Sequence, residues 1–164
     1  MAEKTDLKMS DRGLELLTAW EGFKTRVYKD SAGLPTIGVG HLLTKSELSS
    51  GKVMIKGVSV KVHNGLTHQQ VVDLLEQDIV NYETTVNDVV TVKLNQKQFD
   101  ALTSFCFNVG QRAFANSTLV KRLNAKAYNE VPAQLMRWTR AGGRVIKGLV
   151  NRRKNEIALW EGKI

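Results

Sequence analysis

The chain is short of cysteine, of long apolar runs and, in its last third, of negative charge. A single cysteine, Cys106, leaves no internal disulfide to be made. No run of 18 apolar residues occurs, so no helix is expected to span a membrane. The first ten residues are charged and polar and lack the apolar stretch of a signal peptide. The chain is therefore expected to be made in a cytoplasm and to stay there until something else releases it. No internal repeat or low-complexity segment is present. His63 and His68 stand alone without a ligand cluster of suitable spacing, so no metal is expected. Gly38 and Gly40 form too short a pattern for a dinucleotide fingerprint, and no cofactor is expected.

What is present suits one domain with two lobes. The 164 residues are 42% hydrophobic and 24% charged, ordinary for a globular chain. A chain of this size buries roughly 70% of its unfolded surface and needs no staples. Net charge is +8, unevenly placed. Residues 1–111 carry 12 Lys/Arg against 13 Asp/Glu, whereas residues 112–164 carry 12 against 3. A one-sided basic surface attracts nucleic acid, anionic lipid or an acidic cell-wall polymer, or serves solubility alone. Arg152-Arg153-Lys154 reads as a solvated helix start. If this charge holds the protein on a wall polymer, reversing Arg152 and Arg153 lowers activity mainly at low salt.

Local signals outline the elements. Ser10 is a plausible N-cap for a helix carrying Leu14, Leu17 and Trp20 and ending near Gly22. A hairpin follows, Arg26–Lys29 and Pro35–His41 around the turn formers Asp30-Ser31-Ala32-Gly33. Strand alternation puts Thr36, Gly38 and Gly40 on one open face, where something bulky can approach. The polar stretch 46–65 reads as short strand or irregular structure. Thr67 to Gln70 is a capping box before a helix of about 20 residues. Asn95 to Gln98 is another, before an apolar face of Phe99, Leu102, Phe105, Cys106 and Val109 that ends at Gly110. Asn116 or Ser117 caps the next helix, and Pro132 suits the first turn of one carrying Leu135, Met136 and Trp138, broken at Gly142-Gly143. A last helix carries Ile157 and Trp160. The expected fold is α+β, mainly helical: a small β lobe to about residue 65, a connecting helix at about 67–90 and a helical lobe at about 91–164. Cys106, Trp138 and Trp160 read as core.

Two carboxylates stand near the hairpin. Glu21 falls on the last turn of its helix, where its charge opposes the helix dipole, so stability alone does not select it. Asp30 lies in a polar turn. A glycosidase needs one acid to protonate the leaving oxygen and another to activate water or attack carbon. Glu21, beside Trp20 and Phe23, is expected in the drier pocket, and Asp30 in the wetter one. Thr36 could hold a water.

Glu21, Asp30 and Thr36, at that spacing and within Tyr28-Lys29-Asp30 and Thr36-Ile37-Gly38-Val39-Gly40-His41-Leu42-Leu43-Thr44-Lys45-Ser46, resemble the catalytic triad of the phage-type lysozymes. Phe105–Gly110 and Ala113–Ser117 resemble further blocks of that family, and Gly148–Arg153 is similar to endolysins of lambdoid phages. The resemblance implies a lysozyme-like two-lobe fold. It also implies an endolysin that cleaves the β-1,4 bond between N-acetylmuramic acid and N-acetylglucosamine in peptidoglycan, with inversion. It makes Glu21 the general acid, with Asp30 and Thr36 positioning water. His41, Leu42, Phe107, Asn108, Ser117 and Gln134 fall where the family contacts substrate, with His41 either a cleft residue or a partner to a carboxylate. Asn108 replaces a Gln there, and Gln134 an Asn. Release by a holin, action on the wall from the periplasm, and a monomer without nucleic acid or stable membrane insertion complete the expectation. The alternatives are a lytic transglycosylase acting on the same bond and a non-enzymatic basic binder of cell wall or nucleic acid.

Overall fold

A computed structural model describes residues 6–164. The charged reading of the N-terminus lies, for Met1–Thr5, outside the described residues. In chain order the elements are α1 (Asp11–Glu21), β1 (Lys24–Lys29), β2 (Pro35–Gly38), β3 (His41–Leu42), α2 (Lys45–Ser50), β4 (Lys52–Ile55), β5 (Val58–Lys61), α3 (His68–Asp78), α4 (Val80–Val89), α5 (Gln96–Val109), α6 (Gln111–Ala115), α7 (Thr118–Asn124), α8 (Val131–Leu135), β6 (Arg140–Ala141), β7 (Arg144–Val145) and α9 (Lys147–Trp160). The mixture is α+β and mainly helical, as expected.

Two compact units form. One, the α/β unit, is continuous from Leu14 to Val80. The other, the helical unit, combines the residues up to Gly13 with Asn81–Ile164. The stretch read as one connecting helix is two helices. Ile79 interrupts them while staying in the right-handed region at φ −77° and ψ −13°, and the division between units falls directly after it, at Val80.

In the α/β unit, β1, β2 and β3 pair antiparallel in that order, with Tyr28 opposite Thr36 and Thr36 opposite Leu42. The expected open face is closed at Thr36 and Gly38, while Gly40 stays exposed. Thr36, Ile37, Gly38 and Val39 are all buried, and a Cβ on Gly38 would lie 3.7 Å from Leu74 and 3.8 Å from Val71 of α3. Gly38 and Gly40 take φ of 65° and 66°, so strand alternation stops where the expectation relied on it. What approaches the glycine is the protein's own helix. The 46–65 stretch resolves into α2, the hairpin β4–β5 and a 3₁₀ turn at Val62–Asn64. Thr44 and Glu47 make the capping box that starts α2.

In the helical unit the N-terminal segment is tied down by side chains far along the chain. Leu7 N–H donates to Asn87 Oδ1, Asn87 Nδ2 donates to the Leu7 carbonyl, and Met9 N–H donates to Glu83 Oε2 at 2.7 Å. Ser10 caps α1, its hydroxyl accepting from Gly13 N–H while donating to buried Asp100 at 2.5 Å. Burial pushes the Asp100 carboxyl above the usual carboxylate range, against the hydrogen bonds of Ser10 and Gln96. Phe99, Leu102, Phe105 and Cys106 of α5 are fully buried. The Cys106 thiol, pushed up to about 12 by burial, is a core residue.

Two expectations about the C-terminal part are corrected. Helix α8 stops at Leu135, and Gly142-Gly143 turns the β6–β7 hairpin instead of breaking a helix. Arg152 and Arg153 are not a solvated helix start: α9 begins at Lys147, and the two side chains are 7% and 0% exposed. Both bond Glu156, which is fully buried and also accepts from the Ser104 hydroxyl at 2.6 Å. Burial raises the Glu156 carboxyl, while Arg153, Arg152 and Ser104 pull it down. The helical repeat explains this: the face of α9 turned to α5 is the one bearing residues 152, 153, 156, 159 and 160.

Replacing Gly13 with Ala should destabilise the protein, because the new Cβ would sit 2.6 Å from Asp100 Oδ2. A loss of about 1–3 kcal/mol is expected, visible as a lowered melting temperature; an unchanged melt would refute the steric account. Reversing Arg153 to Glu should unfold the helical unit at every salt concentration, since it buries an unpaired charge beside Glu156. Circular dichroism melts across a salt series check this, and a folded variant altered only in salt response would restore the surface reading.

Candidate active site

Glu21 is the last residue of α1 and is exposed. The drier pocket expected for it is not seen: Trp20 is half-buried beside it, but Phe23 is itself 40% exposed. Asp30 follows β1 and is held by the turn it begins. Its Oδ1 accepts from Ala32 N–H and Leu34 N–H, both at 2.9 Å. Its backbone N–H donates to the Leu34 carbonyl at 2.9 Å, and its carbonyl accepts from Gly33 N–H. Thr36, 2% exposed, donates its hydroxyl proton to the same Leu34 carbonyl at 2.9 Å. The two peptide groups of Leu34 thus anchor both Asp30 and Thr36. With its proton committed, the Thr36 hydroxyl has only acceptor capacity left for any further partner. The reason for the local fold is plain: a short acid at the head of a turn satisfies the turn's own N–H groups.

His41, in β3, is the partner of carboxylates. Nδ1–H donates to Asp78 Oδ2 at 2.7 Å, and Nε2–H donates to Glu47 Oε1 at 3.0 Å. Hydrogen bonding and charge from Asp78, then from Glu47, outweigh burial and lift the imidazole to about 9. Glu47 is the N3 residue of the α2 capping box, so His41 ties β3 to both α2 and α3. Leu42 follows, 50% exposed, with a free apolar surface.

The other residues expected at substrate belong to the helical unit. Phe107 is half-buried and packs edge-on against Tyr82, ring centres 5.0 Å apart. Asn108 is exposed and accepts from Arg153. Ser117 is buried, and its hydroxyl is spent on the helix: it donates to the Phe114 carbonyl at 2.7 Å and accepts from Val120 N–H at 3.2 Å. It caps α7. Its neighbour Thr118 instead lines a cavity of about 250 Å³ with Gln134, Arg137 and Trp138. Gln134 is therefore placed at a pocket, and sequence reading missed Thr118 and Arg137 beside it and took Trp138 for core. The spacing of Gln134 and Arg137, three apart, was the available signal; Arg137 Nη1 faces Gln134 Oε1 at 3.5 Å. Among the described residues no group of three or more His, Cys, Asp or Glu is arranged to hold a metal ion.

The chain is similar to known proteins over most of its length. The family model described as phage lysozyme matches residues 18–156. The endolysin of Salmonella phage P22 is 38% identical over 154 residues, covering 94% of this chain and 98% of that protein. The endolysin of Acyrthosiphon pisum secondary endosymbiont phage 1 is 35% identical, over 94% of this chain and 99% of its own. Among solved structures, a mutant P22 lysozyme aligns with a TM-score of 0.80 at 37% identity, covering 94% of this chain and 99% of its own. The muramidase domain of SpmX from Asticaccaulis excentricus aligns with a TM-score of 0.76 at 30% identity, over 93% of this chain and 97% of its own.

The His41 pair carries a pH signature. Its imidazole binds its proton more tightly folded, at about 9, than at an unfolded value of about 6.5. The stabilisation is complete below about pH 6.5 and is lost as pH rises through about 9, on the order of 3 kcal/mol. Urea melts of wild type and His41→Asn between pH 6 and 10 should converge at the alkaline end; a constant gap would contradict the assignment.

Proposed function

The chain belongs to the phage lysozyme family and is a peptidoglycan-lysing endolysin, and we propose that it hydrolyses the β-1,4 bond between N-acetylmuramic acid and N-acetylglucosamine with inversion. Family membership sets aside the non-enzymatic binder. In this reading Glu21 is the general acid that protonates the leaving glycosidic oxygen, and Asp30 and Thr36 hold the attacking water.

The observation that carries the reading is the common anchoring of Asp30 and Thr36 on Leu34. An inverting enzyme needs a water fixed between the base and the sugar, since the second carboxylate does not itself attack carbon. Thr36 has only acceptor capacity left, so it takes one proton of that water. Asp30 Oδ1 is filled by two backbone donors, which leaves Oδ2 to accept the other proton. The water's lone pair is then free for the anomeric carbon. Because both side chains are anchored on the two peptide groups of one residue, Leu34, their separation is restrained, and that is the positional control that proximity catalysis requires. Glu21, at the end of α1 and outside this turn, serves in this reading as the acid for the opposite side of the bond.

The same proposal includes His41, Leu42, Phe107, Asn108 and Gln134 as substrate-facing or substrate-supporting groups, with Ser117 acting through the α7 cap. It also includes action as a monomer and release by a holin from the cytoplasm to the wall. No described helix is long and apolar enough to cross a membrane.

Glu21→Gln should abolish release of muropeptides from purified peptidoglycan, with the melting temperature kept within a few degrees. Full activity in that variant would remove the assignment. Mass spectrometry of wild-type products should show reducing ends; anhydro-muropeptides would establish a transglycosylase instead.

A further inference from the structure

Arg153 is the largest fully buried side chain among the described residues. The reaction above makes no use of it. Its Nε–H donates to the backbone carbonyl of Trp138 at 3.0 Å. One terminal amino group bonds Glu156 and the other bonds Asn108 Oδ1. The guanidinium also lies over the Phe105 ring, 4.9 Å from its centre, and Phe105 meets Trp138 edge-on at 5.5 Å. One buried cation thus holds the C-terminal end of α5 and the backbone of a pocket residue together.

The bond to Asn108 has a directional consequence. A guanidinium carries five N–H donors and no acceptor. Only the amide oxygen of Asn108 can face it. The amide nitrogen must then point the other way, and Asn108 is exposed whereas Arg153 has no exposed surface. Turning the amide over would set donors against donors and leave a buried N–H without an acceptor, which is the costly arrangement. An unrestrained surface asparagine offers both a donor and an acceptor; this one is held to a donor.

We infer that Arg153 is a positioning residue: it locks the Asn108 amide so that the end of α5 presents an N–H donor to a carbonyl oxygen of the substrate. The inference rests on the muramidase reading. Peptidoglycan supplies such carbonyls from two sources, the N-acetyl groups of its sugars and the amides of its peptide stems. An asparagine that could rotate would accept hydroxyl donors equally well. A locked one discriminates for carbonyls.

The test uses Asn108→Asp, which keeps an oxygen for Arg153 and removes the N–H. Its melting temperature should not fall. Calorimetry in a Glu21→Gln background measures binding without turnover, using chitotetraose and a peptidoglycan tetrasaccharide that bears its peptide stems. Affinity should drop roughly three- to tenfold, the range of one lost hydrogen bond. A drop with both probes assigns the N-acetyl carbonyl, and a drop with the peptide-bearing probe alone assigns a stem amide. Unchanged affinity for both overturns the inference, while lysis by the otherwise wild-type enzyme reports on the muramidase reading separately. Arg153→Lys replaces the fork by a point charge, so the Asn108 side-chain amide signals in a proton–nitrogen spectrum should shift or double. Unmoved signals in a folded Arg153→Lys protein also overturn the inference. If that variant does not fold, Asn108→Asp decides alone.

Discussion

The helical unit depends on one constraint: two guanidiniums have been taken out of water and must be satisfied where they lie. Burying a charge costs several kcal/mol unless partners replace the lost hydration. Glu156 neutralises one of the two positive charges, and Ser104, Asn108 and the Trp138 carbonyl supply further acceptors. Those acceptors belong to α5 and to the turn after α8, so satisfying the charges fixes where three segments meet. An apolar substitute would fill the same space without choosing a direction. The arginine fork chooses one.

A similar economy operates in the α/β unit. Asp30, Leu34 and Thr36 close a turn whose hydrogen bonds are nearly all internal, and the turn leaves one carboxylate oxygen and the acceptor side of one hydroxyl for the proposed chemistry. His41 fixes the base of this sheet by pairing with two carboxylates at once, one on α2 and one on α3. In the proposed reading, structural and chemical duties are divided between the atoms of single side chains.

Features carried by short-range chemistry were legible in the sequence. The boxes at Thr67–Gln70 and Asn95–Gln98 formed as written because their partners lie three residues apart. Gly110 ended α5 and Ser10 began α1 for the same local reasons. The family spacing of Glu21, Asp30 and Thr36 was visible, but the bonds that Asp30 and Thr36 make to Leu34 were not. Arg152 and Arg153 misled because charge normally means surface, and their acceptors Ser104 and Asn108 stand 45 or more positions away. Glu156, three and four residues on, was the local hint that the pair was balanced. Gly38 failed differently: strand alternation assumes extended backbone, and a positive φ ends it.

The side-chain bonds that hold Leu7, Met9 and Ser10 have sequence separations of 74 to 90 residues. Leu7, Met9 and Ser10 are thus completed by helices made long after them. The stretch from Leu14 to Val80 is contiguous in the chain, whereas the helical unit must wait and then recover a segment from the opposite end of the chain. Synthesis therefore imposes an order of assembly, with the part bearing Glu21, Asp30 and Thr36 first and its discontinuous companion last.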